Sequence, residues 1–391
     1  MMDDYKTLDR VSQRRRLFEL AAVFLKLGTI AFGGPAAHVA MMEEEVVTRL
    51  KWMTREKLLE LFGMTSLIPG PNSTELAMQI GYDRAGWRGL LIAGVCFISP
   101  AMVIVWGLAI GYAQTQTLPQ WSGILYGIKP VIVVIILQAL WKLGQKAVTD
   151  SVTGLAGVVA IGAYFFGWDE IATLFGLGSF VWFVKRSNND LLSWIPISGL
   201  FAQAPEAHSI DIPKIIDWTN VFVIFLKIGS VLYGSGYVLL AFLQRELVDR
   251  NGWLTSQQLI DAVAIGQLTP GPVLTTATFI GYLLAGNSGA IAATIGIFLP
   301  SFLLVGLLNL WVMPWLRSSG FQAFLTGVTA ASLGLMAGVT VTLMRSSLVD
   351  GWTVGISSLA AIVLLKFKIN SEVLILVGGA IGWILKFIDF I

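Results

Sequence analysis

Residues in the first half of this chain recur 201 positions later. Phe24-Leu25-Lys26-Leu27-Gly28 returns as Phe225-Leu226-Lys227-Ile228-Gly229, and Pro69-Gly70-Pro71 returns as Pro270-Gly271-Pro272. Gly33/Gly234, Glu45/Glu246, Arg49/Arg250, Trp52/Trp253 and Thr54/Thr255 keep the same offset. From Gly81 onward the offset becomes 200, through Gly81/Gly281, Pro100/Pro300, Gly127/Gly327 and Asp150/Asp350, so the duplication covers nearly the whole chain. The fold must therefore be two related halves. In a very apolar chain, such a repeat is the signature of a secondary transporter whose site lies where the halves meet.

Composition sets the class. The chain is 55% hydrophobic and 13% charged, against about 25% charged in soluble domains. Stretches such as Gly89–Tyr112, Gly123–Leu140, Ala290–Met313 and Phe321–Leu343 approach the roughly 20 apolar residues that cross a bilayer. These observations predict an all-α polytopic membrane protein. A formal charge of +2 does not call for a nucleic-acid partner. The single cysteine, Cys96, lies in an apolar segment and suggests a packed side chain rather than thiol chemistry. The polar start, Met1 to Arg16, has no apolar core of a cleavable signal peptide.

The repeat divides the chain into a first half, residues 16–185, a polar linker, 186–217, and a second half, 218–391. In each half the opening third is amphipathic and broken, and four plain apolar segments follow. Broken or re-entrant backbone at membrane depth survives only where it is buried in protein or lines a cavity. Loop charge sets orientation, because basic residues mark cytoplasmic loops. Asp83, Arg84 and Arg88 face an uncharged counterpart at Tyr282–Gly289, whereas the uncharged Gln114–Gln120 corresponds to a loop with Arg317. The bias reverses between halves, which predicts an inverted-topology repeat of about five spans each. Arg14-Arg15-Arg16 pull the other way, toward a cytoplasmic N-terminus that this arrangement does not give easily.

The two Pro-Gly-Pro turns are the leading site candidates. Proline suits the first turn of a helix and glycine permits a tight turn, so Pro69, Gly70 and Pro71, and Pro270, Gly271 and Pro272, should each head a new helix. The exposed N–H groups and partial positive charge at a helix start can hold an oxyanion. Asn72, Ser73 and Thr74 follow the first turn, and Thr275 and Thr276 follow the second. Without a ligand, the same turns are packing kinks. Gly33 and Gly34, with the counterpart Gly234, offer a second set of backbone N–H groups or merely a flexible joint.

Charged residues in apolar surroundings come next. Lys26 and Lys227 could neutralise a dianion, or could snorkel or pair with a carboxylate. Glu45 with Arg49, and Glu246 with Arg250, are four residues apart. They are either plain intrahelical ion pairs or an anion-binding arginine beside a proton-carrying glutamate, guanidinium being the better oxyanion fork. Glu75, just after the first turn, would repel an anion unless protonated, which makes it a proton-carrier candidate; its counterpart is Thr276. His38 and His208 stand alone, favouring surface or packing roles over ligation. No metal site or cofactor is expected, and no phosphate-binding loop is present, so ATP is not the expected energy source. The 14 tryptophans suit the membrane interfaces.

The Phe-Leu-Lys-Leu-Gly start, the Phe32-Gly33-Gly34-Pro35 turn, the Glu45, Arg49 and Trp52 helix and the Pro69-Gly70-Pro71 break, in this order and with several of them repeated, resemble the chromate transporter family in its long, two-domain form. The resemblance implies a carrier in the inner (plasma) membrane that exports chromate, by proposed coupling to protons. The second half departs from the pattern, with Gly234-Ser235-Gly236 for Gly33-Gly34-Pro35 and Leu239 for His38. The partners expected are a small inorganic oxyanion (chromate, with sulfate as the other option), protons and membrane lipids, with a homodimer left open. A carrier of another anion, a passive channel, and a membrane enzyme acting on lipid phosphates are the rival readings. Against the enzyme stands the lack of a His/Asp metal cluster or a nucleophile–base set.

Overall fold

The computed structural model describes residues 2–32, 34–65, 67–115, 119–186, 216–233, 238–309, 318–367 and 369–388. Gly33, Gly234, His208 and nearly all of the expected linker lie outside them. The described residues form helices and the turns between them. The first half contains α1 (Met2–Thr7), α2 (Arg10–Ile30), α3 (Gly34–Glu43) continuing as a π-helical segment (Glu44–Arg49), and α4 (Arg55–Thr65). Then come α5 (Asn72–Thr115), α6 (Pro119–Ala147), α7 (Ser151–Phe165) and α8 (Glu170–Arg186). The second half follows the same order: α9 (Trp218–Val231), α10 (Leu239–Leu243) with its π-helical segment (Gln244–Arg250), α11 (Ser256–Leu268), and a 3-10 turn (Val273–Thr275). It ends with α12 (Thr276–Leu307), α13 (Ser319–Ser347), α14 (Gly351–Phe367) and α15 (Ser371–Phe387).

Local chemistry fixes these boundaries. Asp9 and Asp217 cap α2 and α9, Thr255 and Gln258 form a capping box on α11, and Asp150 and Thr153 form another on α7. Asp350 and Thr353 repeat the bonds of that last pair at the start of α14. Each cap satisfies N–H groups that the first helical turn leaves open.

Both α5 and α12 are broken in the same way. Ala85 and Gly86 leave helical geometry, Gly86 at φ 58°, and Ala285 and Gly286 do so with nearly identical angles, Gly286 at φ 60°. The positive φ suits glycine. The arm 72–84 folds back on the arm 87–115, with Gly81 against Gly89, and Thr278 bonds Thr294 across the equivalent hairpin at 2.7 Å. The short helix expected after each Pro-Gly-Pro is thus the first arm of a re-entrant hairpin.

The long arms of α5 and α12 pack at the centre. Trp106 donates to Asn287 at 3.0 Å, near the start of the second arm, while Trp87 lies against Gly306 near its end. The two arms are therefore antiparallel. Equivalent helices that run antiparallel are related by a two-fold axis perpendicular to them, which for spanning helices lies in the membrane plane. This is the inverted repeat. The terminal hairpins cross over: α7 and α8 pack on α13 of the other half, and α14 and α15 pack on α6. Gly127 meets Gly378 and Gly382 there, and Gly327 meets Gly178. Such small-residue contacts are how helices approach closely without a hydrophobic driving force.

Four helical stretches among the described residues are long and apolar enough to cross a membrane: 72–115, 122–147, 273–307 and 320–347. The hairpin helices α7, α8, α14 and α15 have 15 to 17 residues, a little short of the usual span. Val103, Val158, Leu359, Ile362 and Leu376 are exposed on the outside, a surface suited to lipid rather than water. The chain is a multi-pass membrane protein.

Candidate functional site

Each Pro-Gly-Pro turn is bonded to the other half. Gly70 N–H donates to the carbonyl of Leu232, just past α9, at 2.7 Å, and Gly271 N–H donates to the carbonyl of Ala31, just past α2, at 2.8 Å. Residues 31 and 232, and 70 and 271, are repeat equivalents, so each half's turn is pinned to the other half's first helix by the same bond. Gly70 has φ 141° and Gly271 φ 88°, conformations that exclude most side chains. A Cβ on Gly70 would overlap Glu75 and Ser301; one on Gly271 would lie 2.6 Å from the Ala101 methyl. Behind the first turn Thr74 and Glu75 N–H groups bond back to Pro71. Asn72 and Ser73 lead the helix, with their N–H groups at its open end.

Much of the buried polar chemistry among the described residues lies at the first turn. Glu75 is fully buried beside Gly70; Ser301 donates to its Oε1 at 3.3 Å, and its Oε2 has no partner. Tyr233 lies within electrostatic reach of Glu75. His38, also buried, bonds Ser73 Oγ at 3.2 Å and the Ala31 carbonyl at 3.1 Å. One turn further along, Asn309 donates to Gln79 Oε1 at 2.8 Å, while Gln79 Nε2 and Thr74 Oγ1 are buried without a partner. At the second turn the equivalents of Ser73, Gln79, Tyr233, His38, Ser301 and Asn309 are Leu274, Phe279, Phe32, Leu239, Ala101 and Ala109. Thr275 and Thr276 turn their hydroxyls onto Pro272 and Val273 carbonyls. The scaffold is two-fold; the chemistry is one-sided. Unpartnered buried polar atoms are rare in folded proteins and call for an explanation such as a ligand.

The lysine and arginine pairs lie elsewhere. Lys26 and Arg49 both bond Glu45, and Lys227 and Arg250 both bond Glu246, the last at 3.4 Å. In each trio the glutamate is buried and both cations are about half exposed. Arg250 also lies 3.9 Å from Asp169. Among the described residues, none of these hydrogen bonds or ion pairs reaches a Pro-Gly-Pro turn. Each glutamate instead ties a π-helical segment to α2 or to its repeat equivalent α9. Gly34 opens α3 at φ 74° with nothing packed against it. Among the described residues no cluster of His, Cys, Asp and Glu could hold a metal ion.

Residues 18–182 and again 219–383 match the family described as chromate transporter. The chain belongs to the chromate transporter family. It is 32% identical to the chromate transport protein of Cupriavidus metallidurans over 93% of this chain and 92% of that one. It is also 32% identical to a probable chromate transport protein of Synechococcus elongatus, over 97% and 98%. An uncharacterized transporter of Bacillus subtilis, YwrA, matches 33% of this chain over 72% of its own length, at 28% identity. No solved structure matches. The relatives named for an activity are transport proteins, not enzymes.

Two features of this family member were missed in the sequence. One is His38, which is neither on the surface nor merely packed. Its two ring bonds join α2 to the first turn of α5, a link that no spacing in the chain announces. The other is a buried trio between the halves. Lys129 Nζ lies 3.2 Å from Asp261 Oδ1, and Tyr112 donates to Asp261 Oδ2 at 2.8 Å. A signal did exist: Lys129 and Asp261 each interrupt an otherwise apolar stretch, the pattern that marks intramembrane function.

Proposed function

We propose that the chain is a proton-linked carrier of chromate or a closely related oxyanion, working outward across the inner membrane. The anion docks at the open helix start behind Pro69-Gly70-Pro71, against Asn72, Ser73 and Thr74, with the start at Pro270-Gly271-Pro272 facing it across the axis. One observation supports this reading: the reciprocal bonds from Gly70 and Gly271 tie each helix start to the other half, and beside the first of them buried polar atoms of Thr74, Glu75 and Gln79 lack partners. Helix starts offer N–H groups and positive potential to anions. They are a recurring substrate site in transporters built from inverted repeats.

Glu75 is the proton carrier in this scheme. Its carboxyl occupies the space beside Gly70, where the anion would approach, so a carboxylate and the anion compete for one place. A proton on Glu75 ends the competition. Alternating access follows from rocking of one half against the other about the axis. Lys26, Arg49, Lys227 and Arg250, each held by Glu45 or Glu246, act as clamps on the π-helical segments rather than as ligands. The test is flux in vesicles holding the purified protein: chromate moves when a pH gradient is imposed, and Glu75→Gln removes the response to the gradient. Vesicles that move neither chromate nor sulfate under any gradient would sink the proposal.

A further inference from the structure

Lys129 is the one Lys or Arg among the described residues that counts as buried, at 7% exposure. It sits on α6 beside Pro130, and its partner Asp261, 3% exposed, sits on α11, the helix that runs directly into the second Pro-Gly-Pro. Tyr112, at the end of α5, holds the other Asp261 oxygen and stacks edge-on against Phe279, on the first arm of α12, at 5.2 Å. The trio therefore joins the two halves through the helices on either side of the second turn. α11 packs against α5, α6, α12, α13 and α15 and the π-helical segment after α10. Among the described residues on these elements, Lys129 and Tyr112 are the charged or titratable groups that face Asp261.

The repeat equivalents show what happens without the pair. Lys129 becomes Thr329, whose hydroxyl turns back to its own helix at Leu325, and Asp261 becomes Glu60, which has Lys57 among its contacts. There Glu60 of α4, Gln322 and Thr329 of α13, and Lys146 help to line a cavity of 570 Å³. At the equivalent place beside Lys129 and Asp261, the space is 360 Å³ and its lining, including Ile128 and Ile265, is apolar. Because the repeat is inverted, these two places face opposite sides of the membrane. The ion pair stands on one side only, because Thr329 at the equivalent place carries no charge.

We propose that Lys129–Asp261 is an exchangeable ion pair that an oxyanion opens. The anion takes the place of Asp261 on the Lys129 ammonium, α11 is freed from α6, and the released carboxylate binds one proton from the adjoining aqueous phase. When the anion leaves, the proton leaves and the pair re-forms. A desolvated ammonium held by a single carboxylate is a site that another oxyanion can enter. The pair thus supplies a second site for the anion and for a proton, on the side opposite the 570 Å³ cavity. This rests on the transport reading above and deepens it.

The test uses vesicles of the purified protein with chromate as probe and sulfate as competitor. Lys129→Gln should lower chromate flux at least tenfold. Asp261→Asn should keep chromate binding but lose the response of flux to a pH gradient. Replacing a buried ion pair by apolar residues is often neutral for folding, so the double variant Lys129→Met, Asp261→Leu should keep its melting temperature and still fail to transport. Recovery of full flux in that double variant would reduce the pair to a structural tie and overturn the proposal. Hydrogen exchange on the unaltered protein gives a readout independent of variants. Chromate should speed exchange in Ser256–Leu268, and unchanged or slower exchange there would also overturn it. Unaltered vesicles that move no oxyanion would overturn the transport reading itself; normal flux with an unimpaired double variant would overturn this proposal alone.

Discussion

Gly70→Ala probes the packing on which the site depends. Gly70 has φ 141°, where an L-residue is strained by about 1–3 kcal/mol. The new methyl would overlap Glu75 Oε1 and Ser301 Oγ and lie 3.0 Å from Glu75 Cδ. Glu75 is fully buried, so its side chain has little room to yield, and overpacking adds about 1–3 kcal/mol. The total is about 2–6 kcal/mol. The two parts separate in a double-mutant cycle with Glu75→Ala, which removes the overlapping carboxyl and leaves the backbone strain. Thermal and denaturant unfolding of Gly70→Ala, Glu75→Ala and the double variant in detergent should show a favourable coupling of about 1–3 kcal/mol, the size expected of residues in contact. Additive effects would mean that Glu75 does not lie on Gly70, and the reasoning about a shared docking place would fail.

Gly28→Ala sets a methyl 2.5 Å from the Phe97 carbonyl oxygen, a backbone atom, whereas Gly107→Ala meets nothing within 4 Å; the first should lose about 1–3 kcal/mol and the second almost none, by melting temperature. His38→Leu, which installs the residue found at the equivalent position 239, removes the bonds to Ser73 and Ala31. It should cost about 1–3 kcal/mol and reduce chromate flux, while Leu239→Ala should affect stability without selectively reducing flux. Burial raises the Asp150 pKa, but bonds from Lys185 and Thr153 outweigh it and bring the group to about 2. Because this value is below the ordinary one, the stabilisation is present above about pH 4 and is lost as pH falls toward about 2. Asp150→Asn should flatten that part of the stability profile.

The scaffold was legible because it is written twice. The offset between Gly70 and Gly271, and between Pro100 and Pro300, is visible without any structure, and a Pro-Gly-Pro inside apolar sequence can hardly be anything but a break. The hairpin was half legible: the short helix after each turn was expected, but its fold-back depends on Gly86 and Gly286, which look like ordinary glycines in a repeat. The ion pairs around Glu45 and Glu246 were expected at a spacing of four. Pairing of Lys26 and Lys227 with a carboxylate was one of the readings, but which carboxylate was not legible, because Glu45 and Glu246 lie 19 residues away. Illegible altogether was the clustering of His38, Ser73, Glu75, Tyr233 and Ser301, which brings together four separate stretches from both halves. The repeat itself concealed it, since matching halves draw attention to what is shared, and here the chemistry lies in what differs.

Chromium gives a direct view of the docking place. Anomalous scattering from crystals of the protein soaked in chromate, collected at the chromium edge, locates the anion without any assumption about its ligands. The expected result is a peak within hydrogen-bonding distance of the N–H groups of Asn72 or Ser73, between the two Pro-Gly-Pro turns. A peak confined to the trios of Lys26, Glu45 and Arg49 or Lys227, Glu246 and Arg250, with none at the turns, would contradict it.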